Sequence, residues 1–193
     1  MLKATYNDKE IILDILCESF DSNKSVNYVV KQDGQRRKRI RTLMNYSFEI
    51  CYKFGQLYLS DDKQACALIL FPDKKKTSLT TILLDVKLAF LSIGLTRVIK
   101  VLKRDTKIKS AYPVKTIFYL WFIGVHTSSQ HKGIGSNLLM NIIDESIQLE
   151  RPIYLETSMP DNIRFYKKLG FDVYKELKFD YPLYLMRRSC IST

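Results

Sequence analysis

The sequence predicts an α/β protein: a mixed sheet with an antiparallel hairpin and one parallel strand pair, accompanied by helices. Three observations carry this. Residues 56–59 and 65–71 are apolar runs around the polar turn Ser60-Asp61-Asp62-Lys63, the pattern of an antiparallel hairpin. Residues 116–125 are nearly continuous β-branched and aromatic sequence, as in a strand buried on both faces. A helical pattern and a second apolar run, Pro152-Ile153-Tyr154-Leu155-Glu156-Thr157, follow it, and such a strand–helix–strand unit implies a parallel pair.

The elements can be justified in order. Asn7 or Asp8 caps a helix with apolar residues at Ile11, Ile12, Ile15, Leu16 and Phe20. After Gly34 a second helix carries Ile40, Leu43, Met44, Phe48, Cys51 and Phe54, and Gly55 stops it. Its first turns, Arg36-Arg37-Lys38-Arg39, oppose the helix dipole and weaken that end. The hairpin closes at Pro72-Asp73. Residues 79–102 return to helical spacing, divided at Gly94, and are expected to pack as ordinary core. Leu138, Leu139, Ile142, Ile143 and Ile147 mark the crossover helix. Pro160 and Asp161 start a short helix that Lys167, Lys168 and Gly170 end. Strands over 171–179 and 181–187 complete the chain.

With 193 residues, 46% hydrophobic and 12% aromatic, the chain is expected to form one packed domain over 1–193. Within it, 116–187 is the expected core of the site and 79–109 a helical insertion. Cys17, Cys51, Cys66 and Cys190 form no CxxC pair, so reduced thiols are expected and a metal site is not. The first residues lack the apolar core of a signal peptide, and the run 82–95 is shorter than a bilayer span. A cytoplasmic protein with no membrane partner is the expectation. The net charge of +11 attracts polyanions in general. Without zinc-finger spacing or an RNA-recognition signature, nucleic acid is disfavoured as a partner.

Gln130-His131-Lys132-Gly133-Ile134-Gly135 joins the long strand to the crossover helix. Its glycines let backbone approach a ligand, and the positive end of the helix dipole lies there, so the turn through Ser136 forms an anion site suited to pyrophosphate. It has neither the spacing of a P-loop nor that of a dinucleotide fingerprint. A purely structural turn explains a lone GxG equally well.

The segment resembles the cofactor motif Q/R-x-x-G-x-G/A of the GCN5-related N-acetyltransferase superfamily. Asn162-Ile163-Arg164-Phe165-Tyr166-Lys167-Lys168-Leu169-Gly170-Phe171 resembles its second signature, Tyr-x-x-x-Gly-Phe at the end of a short helix. Close resemblance covers about residues 116–187. It implies the family's acyl-CoA N-acyltransferase fold, an α/β fold with a central, mostly antiparallel twisted sheet with one parallel strand pair flanked by helices. It also implies acetyl-CoA as co-substrate without a metal, and direct transfer to a primary amine in a ternary complex. It also implies that the strand end Ile123-Gly124-Val125 pairs with the pantetheine arm. Residues Gln130, His131, Lys132, Gly133, Ile134, Gly135 and Ser136 are then expected to hold the pyrophosphate, with Asn162 nearby. Tyr166 is implied as the proton donor to the departing thiolate. Glu156, at the end of its strand, is the candidate base, with His126 as the alternative. Many relatives carry Asn or Ser seven residues before the tyrosine; this chain has Met159. The acceptor is a small-molecule or peptide amine whose identity the sequence leaves open, as it does a homodimer. A degenerate acyl-CoA sensor and a basic nucleic-acid binder are the alternative readings.

Overall fold

Seven strands, β1 (Leu2–Lys3), β2 (Gly55–Leu59), β3 (Ala65–Leu70), β4 (Phe118–Val125), β5 (Ile153–Thr157), β6 (Asp172–Lys178) and β7 (Pro182–Arg188), form one sheet. Their order is β1-β2-β3-β4-β5-β7-β6 in a computed structural model that describes residues 1–114 and 116–190. Residues 191–193 of the expected 1–193 domain, and Lys115 within it, therefore lie outside the described residues. Every neighbouring pair is antiparallel except β4 and β5, which are parallel, as the strand–helix–strand pattern requires.

Helices cover both faces. On one, α1 (Lys9–Ser19) and α3 (Arg36–Phe54) bury Ile12, Ile15, Leu16, Met44 and Phe48 against Leu57, Leu68 and Phe122. On the other, α6 (Ile134–Gln148) and α7 (Pro160–Lys168) bury Leu138, Leu139, Ile142 and Tyr166 against Phe118, Leu120 and Leu155. A short helix, α2 (Lys24–Val29), capped by the Asn23 side chain, lies between α1 and α3 and was not expected from the sequence.

The basic start of α3 is compensated by acids from outside the helix. Arg36 pairs with Asp21 at 2.9 Å, Arg39 with Asp33 at 2.7 Å, and Arg41 with Asp14 at 2.7 Å and Glu10 at 2.5 Å. Part of the run that suggested a polyanion surface is therefore bound within the fold.

Between β3 and β4 the chain makes an excursion: a 3-10 turn, α4 (Leu79–Leu88), a π-turn over Ala89–Ile93, and α5 (Val98–Lys109). Gly94 separates the two helices with φ +80°, so the expected division is found. The expectation of ordinary core packing is met only on one side. Thr81, Leu84 and Leu88 of α4 turn inward, whereas Leu79, Ile82, Leu83, Val86 and Phe90 are exposed. Those five follow helical spacing, so the excursion carries a second apolar stripe with nothing packed over it among the described residues.

Two irregularities in β4 shape the centre of the sheet. Leu68 of β3 faces Phe122 while Ile69 faces Leu120, leaving Trp121 as an extra residue in a bulge. The parallel ladder to β5 is confined to Phe118↔Ile153 and Tyr119↔Tyr154. Among the described residues no ladder pair joins the strands beyond that point, so their C-terminal parts splay. β4 is thus not fully covered as expected: Tyr119 and Trp121 on the α1–α3 side and Ile123 and Val125 on the α6 side are half-buried.

Candidate active site

The splay opens at the carboxyl ends of two parallel strands, the end at which ligands of α/β proteins bind. Beside it, β4 passes through a short 3-10 turn, Thr127–Ser129, into the Gln130–Gly133 approach to α6. His131 and Gly133 adopt φ of 62° and 79°. Gly133 is the N-cap of α6, and no side chain among the described residues caps the helix. The first-turn amides, including Ile134, Gly135 and Ser136, thus present N–H groups at the positive end of the dipole without a side-chain acceptor. A Cβ added at Gly133 would meet nothing within 4 Å, so the cradle is open.

Gly135 serves packing as well. An added Cβ would lie 3.0 Å from the Val125 Cγ2, so its absence lets α6 sit against the end of β4. Gly124 does the same on the other face, where α1 brings Ser19 Oγ within 3.0 Å of the same hypothetical atom. Ser19 Oγ and Gln130 Nε2 both donate to the Val125 carbonyl, at 2.8 and 3.3 Å. Lys132 Nζ donates back to Ser128 O at 2.9 Å, and His131 is exposed.

Glu156 projects from the face of β5 opposite Ile153 and Leu155. Its carboxylate accepts from the hydroxyl of Tyr112, in the turn before β4, and from that of Tyr119 on β4 at 2.7 Å. Burial raises the Glu156 pKa above the usual carboxylate range, although both phenols and the Arg104 guanidinium oppose that rise. Burial, reinforced by the Glu156 charge, likewise raises both tyrosines well above their ordinary value. Arg104, from α5, is itself held by Tyr181 Oη at 2.9 Å, Ser25 Oγ at 2.5 Å and Asp105 at 2.9 Å.

Aromatic rings surround this carboxylate. Tyr112 packs on Tyr119 and Tyr154 at centroid distances of 5.8 and 5.7 Å, and Tyr119 stacks on Trp121 at 6.2 Å. Two buried hydroxyls, Ser158 Oγ and Tyr174 Oη, the latter on a ring 5.5 Å from that of Tyr154, have no hydrogen-bond partner among the described residues.

Tyr166 belongs to the apolar cluster on the α6–α7 face, edge-on to Phe165 at 5.1 Å and to Phe171 at 5.5 Å. Burial raises its pKa, so the phenol keeps its proton through the neutral range. No hydrogen bond joins Tyr166 to Glu156 among the described residues; the two lie on opposite faces of the sheet. Met159 is the N-cap of α7 and supplies no side-chain cap. Thr157 Oγ1 accepts from the Met159 amide at 3.2 Å and lies 3.5 Å from Asn162 Nδ2. His126, at the end of β4, faces Glu18 with Nδ1 to Oε2 at 3.1 Å.

The sequence reading did not single out Tyr112, Tyr119 or Arg104 as site residues. Their partner Glu156 is at least 37 positions away from Tyr119 and 44 from Tyr112. The polar residue interrupting the apolar run 153–157 was the one local signal.

Residues 100–171 match the model of the acetyltransferase (GNAT) family. Three solved structures share the fold over nearly their whole length. The Corynebacterium glutamicum protein of the histone acetyltransferase HPA2 and related acetyltransferase class is 20% identical, with 100% of this chain and 96% of that one covered and a TM-score of 0.71. Arylalkylamine N-acetyltransferase 2 from Aedes aegypti is 16% identical, with 98% of each chain covered and a TM-score of 0.67. The C-terminal condensation domain of Ebony, in complex with β-alanyl-dopamine, is 10% identical, with 97% of each covered and a TM-score of 0.69. The family match thus spans the Gln130–Gly135 turn, Glu156 and Tyr166, and over the rest of the chain the likeness is one of fold.

Proposed function

We propose that this protein transfers the acetyl group of acetyl-CoA directly to the primary amine of a small molecule in a ternary complex, a peptide amine being the alternative acceptor. The β4–β5 opening beside the uncapped N-terminus of α6 is the observation that carries the reading. The first-turn amides from Ile134 to Ser136, with Gly133 leaving the cradle open, suit a pyrophosphate. The free edge of β4 at Ile123, Gly124 and Val125 suits the amide-bearing pantetheine arm. Gln130, His131, Lys132 and Asn162 stand around that path.

An ammonium has no lone pair to attack with, so the acceptor must lose a proton. Glu156, made more basic by burial, takes it, directly or through the Tyr112 and Tyr119 hydroxyls that bind its two oxygens. As the C–N bond forms and the C–S bond breaks, Tyr166 gives its phenolic proton to the leaving sulfur from the other face. The tyrosine-lined surroundings of Glu156 favour an amine with an apolar or aromatic body, held by ring contacts and a carboxylate. Likeness to an arylalkylamine N-acetyltransferase and to a domain holding β-alanyl-dopamine supports placing arylalkylamines first among the acceptors tested.

A free-thiol assay over a panel of amines, with wild type and Tyr166→Phe, tests the proposal. Wild type should release CoA with at least one amine, and Tyr166→Phe should lose roughly 10²–10⁴-fold in turnover where chemistry limits the rate. The Michaelis constant for acetyl-CoA should change little, since the hydroxyl acts mainly in the transition state. Binding of acetyl-CoA without turnover across the panel would favour the sensor reading. Turnover of the variant within threefold of wild type would return Tyr166 to a packing role.

A further inference from the structure

The excursion between β3 and β4 combines two properties seldom found on one exposed surface. Nine of the seventeen exposed large hydrophobic side chains among the described residues lie between Leu79 and Leu102. Leu79 is 83% exposed, Ile99 68% and Leu95 61%. The stretch from Lys74 to Lys109 also holds ten Lys and Arg against two Asp and Glu, a net +8 out of the +11 of the whole chain. Lys75, Lys76, Lys87, Lys103 and Lys107 are all exposed.

The core does not need these apolar groups. Leu84 and Leu88 of α4 and Val98 and Val101 of α5 already pack on the α1–α3 face, and Ile108 packs beside Leu183 and Leu185 of β7. What remains is an outward apolar set, Leu79, Leu83, Phe90, Ile99 and Leu102 among it, with lysines beside it in sequence on both helices.

Charge decides among occupants. An isologous contact with a second copy would bring one +8 segment against another, which opposes association. Nucleic acid would use the lysines and leave the leucines in water. A bilayer with anionic headgroups takes both, burying the apolar side chains at the headgroup–acyl boundary while lysines meet phosphates. At 10 and 12 residues, α4 and α5 are too short to span, and no helix among the described residues is long and apolar enough to cross a membrane. We propose that the excursion is an interfacial anchor that seats the protein on an anionic lipid bilayer. This is independent of the acceptor proposed above.

Co-sedimentation of the full chain with extruded vesicles tests it. Phosphatidylcholine vesicles with about 30% phosphatidylglycerol should pellet the protein at roughly 0.1 M salt, and pure phosphatidylcholine should not. Leu79→Ser/Leu83→Ser/Ile99→Ser and Lys75→Gln/Lys76→Gln/Lys103→Gln should each weaken partitioning at least tenfold. These positions are exposed, and a retained near-ultraviolet spectrum verifies folding. Absence of pelleting with anionic vesicles overturns the proposal. So does full binding by the leucine variant, which would mean charge alone. So too does a concentration-dependent dimer that the leucine variant abolishes while vesicle binding is absent.

Discussion

Burial disfavours the ionised form of Glu156, and the two tyrosine hydroxyls with Arg104 recover only part of that loss. The consequence for stability has a definite sign. A carboxyl whose folded pKa is raised contributes stability that is present at low pH and lost as pH rises through the folded value. Wherever the side chain is ionised it therefore strains the fold, and Glu156→Gln relieves that strain. Melting curves should place Glu156→Gln at or above wild type near pH 8, with the difference shrinking toward about pH 5. Turnover should move the other way, falling roughly 10²–10⁴-fold near neutrality and less at high pH, where more amine is already deprotonated. In wild type, turnover should decline as pH falls through the raised Glu156 pKa, and this limb should be missing from the variant. A lowered melting temperature together with a parallel rate loss at every pH would make Glu156 a structural residue. A fully retained rate would move the base to His126 or water.

Among the elements, the junction of α3 and β2 is the least tolerant. A Cβ at Gly55 would stand 1.8 Å from the Ile69 carbonyl oxygen and 2.8 Å from its carbon, both backbone atoms of the paired strand. Side-chain repacking cannot relieve that, so Gly55→Ala should destabilise by more than about 3 kcal/mol, read by urea unfolding or as loss of soluble expression. The sequence marked Gly55 only as a helix stop, because the atom that forbids a side chain belongs to a residue 14 positions on. Legibility divides on the same line elsewhere. The β2–β3 hairpin and the β4–α6–β5 crossover were readable because period and turn chemistry are local. Helix α2 was missed: six residues show too little periodicity, and only Asn23 announced it. The Gln130–Gly135 turn was readable from its glycines, but not that Gly135 also seats α6 on Val125. The tyrosines around Glu156 and the second apolar stripe of α4 depend on what tertiary packing covers, which no spacing encodes.

For the whole molecule, a ligand bound only by the folded state stabilises it by mass action, about 2.7 kcal/mol at a hundredfold excess over Kd. For a chain of this size that corresponds to roughly 5–10 °C. Acetyl-CoA should therefore raise the melting temperature of wild type by that order. Gly135→Asp, which adds charge as well as the Val125 contact, should lose the shift, while Gly135→Ala, which adds only the contact, should keep most of it. Equal shifts in all three proteins would remove the turn from cofactor binding. The splay of β4 from β5 has one more consequence. After Tyr119 and Tyr154 the facing sides of these strands meet the description of sheet edges, although they lie in the middle of a seven-stranded sheet. Ordinary edges are guarded by charge, proline or a covering helix, whereas this one begins with Ile123-Gly124-Val125 and Leu155. On the proposed reading, an extended ligand laid along Ile123–Val125 pairs with this edge as a further strand. Without such a ligand the edge is open to a foreign segment of similar shape, so on that reading cofactor binding also opposes self-association.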